Sequence, residues 1–381
     1  MNCIKLKKCK TTTFFPACLI LLLVLLLALP SPAINKTLQD KVDEYIGALV
    51  KMGKFSGSLL IAKNGDILHS KGYGLANREH DVPNTSQTIF RMGSIGKQFA
   101  ATAIMQLQEQ GKLDVKDPLT KYIPDYPNGD IITLHHLLTH TSGIPNLTDF
   151  PEHRKTIMIP SPVEKTILRF KDKPLEFAPG EKFKYCNSGW LLLGYIIEKV
   201  SGKTYEDYLE EHIFGPLKMT NSGYDHHSTI LKNRASGYHI TKEGPVNAPY
   251  VDMSIPHAGG ALYSTVEDFF LWDRALYTEK ILTKASLEKM FTPFKSNYGY
   301  GWRIDSIYGH KRIHHGGSIF GFQAHIARYV DDDTFVVFMC NQRPINAKKI
   351  AEDLAAIVFN KPYTLPAVEA TAEKNEEKNK K

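Results

Sequence analysis

The chain has 381 residues, 43% of them hydrophobic, with no internal repeat, enough to bury a sizeable core and too apolar for disorder over most of its length. The net charge of +7 becomes +3 once Lys5, Lys7, Lys8 and Lys10 are set aside, and no basic patch argues for nucleic acid. Cys3, Cys9 and Cys18 stand close to the N-terminus, and the remaining two, Cys186 and Cys340, are too few and too far apart for a disulfide scaffold.

Residues 1–33 have the features of a secretory signal: lysines first, an apolar run from Phe14 to about Leu29, then Pro30-Ser31-Pro32-Ala33 with small residues where a peptidase cuts. Export to a periplasm or the exterior is therefore expected. The alternative is an uncleaved membrane anchor, because no charge interrupts Thr11 to Asn35. From Thr37 to Lys51, Leu38, Val42, Ile46 and Leu49 recur on one helical face. The segments Ser56 to Ala62 and Ile67 to Leu75 flank Asn64-Gly65, a strong hairpin signal, so an antiparallel sheet begins early.

The stretch Phe90-Arg91-Met92-Gly93-Ser94-Ile95-Gly96-Lys97 puts a serine three positions before a lysine, ahead of an apolar helical run that Gly111 stops. If Ser94 opens that helix, the Lys97 amine lies one turn along the same face, within reach of the hydroxyl. A serine needs such a base to attack a carbonyl, and a lysine serves only when burial or nearby positive charge keeps it neutral. Taken alone, the pair also reads as an N-cap serine and an exposed lysine.

Residues 94–291 are mainly helical segments and long loops. Within them, Tyr185-Cys186-Asn187 precedes an apolar helix from Leu191 to Val200; alternate residues of an extended turn point one way, so Tyr185 and Asn187 can face one cleft. A phenol can shuttle a proton and an amide can hold a carbonyl, although a core tyrosine and a capping asparagine fit as well. His136 and His140 are four apart but lack a third metal ligand at a familiar spacing, and His226-His227 reads as a solvated turn. Trp190, Trp272 and Trp302 read as packing residues.

Strands return at Gly299 to Ile307, His310 to His314, Phe322 to Val330 and Thr334 to Cys340, followed by a helix from Ile345 to Phe359. Between them His314-His315-Gly316-Gly317-Ser318 brings glycines that let a backbone approach a ligand, where an edge strand can offer the Ser318 N–H to an oxyanion. The fold class expected is α/β (α+β): an antiparallel sheet flanked by helices, built from both ends of a 34–366 domain (about 37–90 and 292–360), with a mainly helical lobe (about 94–291) inserted. Residues 367–381 are charge-balanced with nothing to bury and read as a disordered tail.

These stretches, in this order, resemble the serine β-lactamase and penicillin-binding protein superfamily, in its branch of class C β-lactamases, D-alanyl-D-alanine carboxypeptidases and esterases. The resemblance covers roughly Phe55 to Asn341 and includes His136-Leu137-Leu138-Thr139-His140-Thr141-Ser142-Gly143, Gly259-Gly260-Ala261-Leu262-Tyr263-Ser264-Thr265 and Tyr298-Gly299-Tyr300-Gly301-Trp302. It implies a β-lactamase/transpeptidase-like fold, Ser94 as the acylated nucleophile, Lys97 as its base and Tyr185 as the group that shares protons with Lys97 and with the leaving group or incoming water. It further implies Asn187, His315, Gly316, Gly317 and Ser318 around the substrate, the N–H groups of Ser94 and Ser318 as the oxyanion hole, and no metal or cofactor. His315 and Gly316 stand where related β-lactamases carry the lysine and threonine of a Lys-Thr-Gly triplet, and Cys186 stands where serine is common. A fixed cation for a substrate carboxylate is thereby lost, so a D-amino-acid peptidase or esterase acting on small peptides or esters is expected ahead of a β-lactamase. The rival from another class is a binding protein that keeps the fold and holds peptidoglycan without turnover.

Overall fold

An amphipathic helix, a hairpin and a return of strands near the C-terminus assemble into one sheet with helices on both sides. The structure, a computed structural model, describes residues 36–367; the leader expected at 1–33 and the charged tail beyond residue 367 lie outside them. In chain order the elements are α1 (Leu38–Lys51), β1 (Gly57–Lys63), β2 (Asp66–Tyr73), α2 (Lys97–Glu109), α3 (Ser188–Ser201) and α4 (Val266–Ala275). Then come β3 (Arg303–Ile307), β4 (His310–Ile319), β5 (Phe322–Tyr329), β6 (Thr334–Cys340) and α5 (Ala347–Val358). The hairpin forms as predicted, with Asn64 and Gly65 both at positive φ (53° and 81°), the turn that follows strand twist.

The six strands run β3-β4-β5-β6-β1-β2, every neighbouring pair antiparallel. β6 lies against β1, Gly57 opposite Cys340 and Lys63 opposite Thr334, which joins the two ends of the chain. That contact is close: a Cβ on Gly57 would lie 2.0 Å from the Met339 carbonyl oxygen. Alternation sends Leu59 and Ile61 of β1 and Val336 and Phe338 of β6 to one face, where Val42, Ile46 and Leu354 of α1 and α5 cover them. Leu60, Phe335, Val337 and Met339 face the other way, toward α2, α3 and α4. With both faces covered, β1 and β6 read as unbroken apolar runs.

Two strands differ from their sequence reading. β3 starts only at Arg303, because residues 298–302 form a tight bend in which Tyr298 bridges Arg303, and β4 continues through the glycines to Ile319. β3 pairs with β4 only as far as Arg303 opposite His314, so residues 315–319 form a local edge inside the sheet. α2 is buried on every side from Lys97 to Leu107, a central helix. Its stop at Gly111 (φ 68°) has the Lys112 N–H donating to Leu107 O, which satisfies the last carbonyls. The described cysteines, Cys186 and Cys340, are both free.

α4 is tied to the sheet by an ion pair: Arg328 Nε on β5 donates to Asp273 Oδ1 at 2.6 Å, with side-chain exposures of 1% and 0%. Asp273→Ala leaves that guanidinium buried and unpaired, so urea unfolding should show a loss of about 3–5 kcal/mol. Removing the exposed pair Lys348–Glu352 should change stability by less than about 0.5 kcal/mol.

Candidate functional site

Ser94 does not open α2. It sits in a 3₁₀ turn, Gly93–Gly96, and Lys97 is the first residue of the α-helix. The difference favours the pair, since in a 3₁₀ turn residues i and i+3 eclipse, which stacks the lysine over the serine. Gly93, at φ 54°, starts the turn in a conformation other residues avoid.

The Lys97 amine is within hydrogen-bond distance of three oxygens: Ser94 Oγ at 3.1 Å, Asn187 Oδ1 at 2.9 Å and Gly259 O at 2.7 Å. Two of the three can only accept. A neutral amine has two N–H bonds, and with both donated to Gly259 and Asn187 its lone pair is left for the Ser94 proton. Burial drives that neutral form, bringing the amine down to about 7, opposed only by the Cys186 thiol.

Tyr185 and Asn187 converge on the same point. The Lys97 Nζ lies 5.1 Å from the centre of the Tyr185 ring. The Tyr185 hydroxyl is buried without a hydrogen-bond partner, although the residue as a whole is only half-buried. Burial holds the phenol well above its usual range, while the neighbouring Ser94 hydroxyl and the Arg303 charge pull the other way without reversing it. The turn carrying both side chains is fastened residue by residue to the segment from His140 to Asn146. Lys184 N donates to His140 O, the Cys186 thiol to Ile144 O at 3.2 Å, and Asn187 N to Asn146 Oδ1 at 2.9 Å. Cys186 is thus a fastening, a job a serine hydroxyl can also do. His140, with its ring stacked 4.2 Å from that of Tyr185, accepts the Cys186 N–H and is held well below its usual range by burial. It is a positioning residue that sequence reading left in the framework.

The local edge of β4 closes the site from the other side. A Cβ on Gly317 would meet Met92 O at 2.0 Å, and one on Gly93 would meet Ser318 N at 2.8 Å, so these glycines let the strand press against the serine turn. This brings the Ser318 N–H beside Ser94, as an oxyanion hole requires. His315, expected to contact substrate, is buried, with Nε2 3.0 Å from the Tyr298 hydroxyl and its ring centre 6.3 Å from that of Tyr185; like Lys97 and Tyr185, it is not among the residues that line the cavity in front of Ser94. Burial, and then the charge of Lys97, brings it down to about 3. Gly316 is exposed and has no part in the cavity lining either.

In front of Ser94 is a cavity of about 170 Å³, lined by Leu147, Ile157, Leu191, Val251, Ile255 and Phe320 with Thr148, Asn187 and Ser318. Its one lining side chain with a fixed charge is Arg343, which forms no ion pair among the described residues. Nothing in the sequence marked Arg343, because only the fold carries it from the end of the sheet to the serine. Among the described residues no group of three His, Cys, Asp or Glu side chains is disposed to hold a metal, and His136 instead caps its own helix at Thr133.

The beta-lactamase family model matches residues 42–360. A Bacillus subtilis (strain 168) protein, PbpX, described by name only as a penicillin-binding protein, is 39% identical over 269 residues, covering 70% of this chain and 65% of its own. This chain therefore spans slightly under two thirds of that relative. The octameric penicillin-binding protein homologue from Pyrococcus abyssi superposes with a TM-score of 0.76 at 33% identity, over 84% of this chain and 77% of its own. The D-amino acid amidase from Ochrobactrum anthropi SV3, complexed with L-phenylalanine amide, gives 0.74 at 25% identity, over 84% and 99%.

The two adjacent glycines of β4 separate packing from chemistry. Gly317→Ala should slow modification of Ser94 by a fluorophosphonate at least ~100-fold, by pushing the Ser318 N–H away. Gly316→Ala, whose Cβ finds nothing nearer than 3.8 Å, should react within about twofold of the native protein.

Proposed function

The chain belongs to the beta-lactamase family, and from that premise we propose that it is a serine hydrolase acting through an acyl-enzyme on an amide, peptide or ester of a D-amino acid. The observation that carries the reading is the Lys97 amine, buried, without an acidic partner and 3.1 Å from the Ser94 hydroxyl. Ser94 Oγ attacks the substrate carbonyl carbon as its proton passes to Lys97 Nζ, and the carbonyl oxygen takes up negative charge between the N–H groups of Ser94 and Ser318. The resulting ammonium keeps its two former acceptors and gains the Ser94 oxygen, so the charge is solvated as it forms.

When the tetrahedral adduct collapses, the leaving nitrogen or oxygen takes a proton. Tyr185, whose phenol stays protonated, is placed to deliver it and to be reprotonated by Lys97. Water then enters the same geometry and attacks the acyl carbon as its proton passes to Lys97; Lys97 returns that proton to Ser94 Oγ as the Ser94–acyl bond breaks and the acid leaves. Asn187, held by Asn146 and Thr148, fixes both Lys97 and the substrate amide.

The substrate class follows from size and charge. The cavity is about as large as one that takes a benzene ring and is mostly apolar, which suits a small acyl side chain. Neutral His315 supplies no cation, whereas Arg343 does, so a substrate with a free carboxylate, such as a short peptide, suits this site best. The D configuration rests on the amidase named above. Efficient β-lactam hydrolysis is not part of the proposal, since the cation sits elsewhere. Export to the periplasm or exterior is also proposed, on the leader sequence alone.

Acylation should rise with pH along a single limb near 7: below it Lys97 is an ammonium and cannot accept a proton, and above it the amine is free. A limb near 10 in kcat/KM against pH would argue against this. Arg343→Gln should raise KM at least ~10-fold for a carboxylate-bearing peptide with kcat nearly unchanged, and should leave an uncharged p-nitrophenyl ester unaffected.

A further inference from the structure

Just ahead of Ser94 in the chain, Arg91 lines a cavity of about 380 Å³ that the proposed chemistry does not use. It lies on a small sheet formed by Phe90–Arg91, Leu262–Ser264 and Gly223–Tyr224, in which Arg91 is opposite Tyr263 and Tyr263 opposite Gly223. Residues opposite one another in an antiparallel pair share a face, so the guanidinium and the phenol are neighbours. Gly223 gives the phenol room, since a Cβ there would lie 2.7 Å from the Tyr263 hydroxyl. Phe320 lines both this cavity and the one in front of Ser94, so the two adjoin at that ring.

The charges here do not cancel. Asp225, 1% exposed, has one oxygen against each of two arginines: Arg91 Nε donates to Oδ2 at 2.6 Å and Arg234 Nη2 to Oδ1. These three are the fixed charges among the lining residues, and two cations against one anion leave the wall one positive charge. Both arginines are largely out of solvent, with side-chain exposures of 19% and 29%, where an uncompensated charge is costly. Arg91 commits only its Nε–H. Its Nη1 and Nη2 have no hydrogen-bond partner among the described residues, and neither is closed to solvent. The outer edge of a guanidinium, left free in this way, takes an oxyanion through two parallel N–H bonds. The Tyr263 hydroxyl is likewise open and without a partner; burial and then the Asp225 charge, against that of Arg234, hold the phenol above its usual range, so it remains a donor.

We infer that this cavity is a binding site for an oxyanion, a carboxylate, phosphate or sulfate group, held by Arg91 Nη1 and Nη2 with the Tyr263 hydroxyl beside them. Asp225 does not compete for those donors, because both of its oxygens are already taken. Two sources share this chemistry: a free anion, and the far end of a substrate that extends past Phe320 from Ser94.

The test is calorimetric titration of the full chain with sodium phosphate, at an ionic strength held constant with sodium chloride, in Arg343→Gln protein so that the cation of the Ser94 cavity takes no part. Phosphate should bind with a Kd below about 20 mM. Arg91→Lys, which keeps a cation for Asp225 and removes the outer N–H pair, should weaken it at least ~10-fold. His227→Glu puts a carboxylate at an exposed lining position, changes none of the bonds to Asp225, and should weaken it several-fold. A substrate end is the source if Arg91→Lys also raises KM for an ester with a distal carboxylate and leaves KM for an uncharged ester alone; a free anion is the source if neither KM moves. Only that comparison rests on the hydrolase reading, so an ester that is not turned over would count against Ser94 while the titration stays readable. No phosphate binding, or binding that neither Arg91→Lys nor His227→Glu weakens, would overturn the inference.

Discussion

The structure depends on keeping one amine out of water. Lys97 begins a helix that is buried on every side, and an ammonium there would have to be desolvated without a carboxylate to repay it. The protein answers with neutral oxygens only: one hydroxyl, one amide and one backbone carbonyl. Such a shell tolerates the proton for the length of a reaction without favouring it at rest. A carboxylate in the same place would hold the lysine charged and remove the base.

Around that amine, three parts of the chain far apart in sequence are brought close by main-chain contacts. The serine turn, the 257–260 turn and the edge of β4 touch through Gly93, Gly260 and Gly317, where a side chain would displace a backbone. Distances among N–H groups, hydroxyl and amine are therefore set by packing rather than by flexible side chains. The histidines nearby follow the same logic. His140 and His315 are buried, held neutral, and used for their shape and hydrogen bonds, against Tyr185 in one case and Tyr298 in the other.

Much of this was legible in the sequence wherever a local rule decides it. The Asn64-Gly65 hairpin, the α1 stripe and the unbroken strand of β6 each follow from periodicity or turn chemistry. Ser94, Lys97, Tyr185 and Asn187 were legible through motif order, and the fold brings them together. What was not legible depends on distant partners. Whether Ser94 lies in an α-helix or a 3₁₀ turn depends on the β4 strand pressed against it. The His315 environment is set by Tyr298 and Tyr185, which lie beside it only in the fold, so its burial was not legible in the sequence. Arg343 carries no local signal at all, and Cys186 acquired a role only once Ile144 lay beside it.

The most direct measurement is the titration of Lys97 itself, followed by NMR of protein carrying ¹³C at the lysine ε-carbon, with Lys97→Met used to assign the signal. A midpoint near 7 is the expected result. A midpoint near the ordinary lysine value of 10.5 would mean that the amine is charged throughout the working range, and the chemistry built on it would fail.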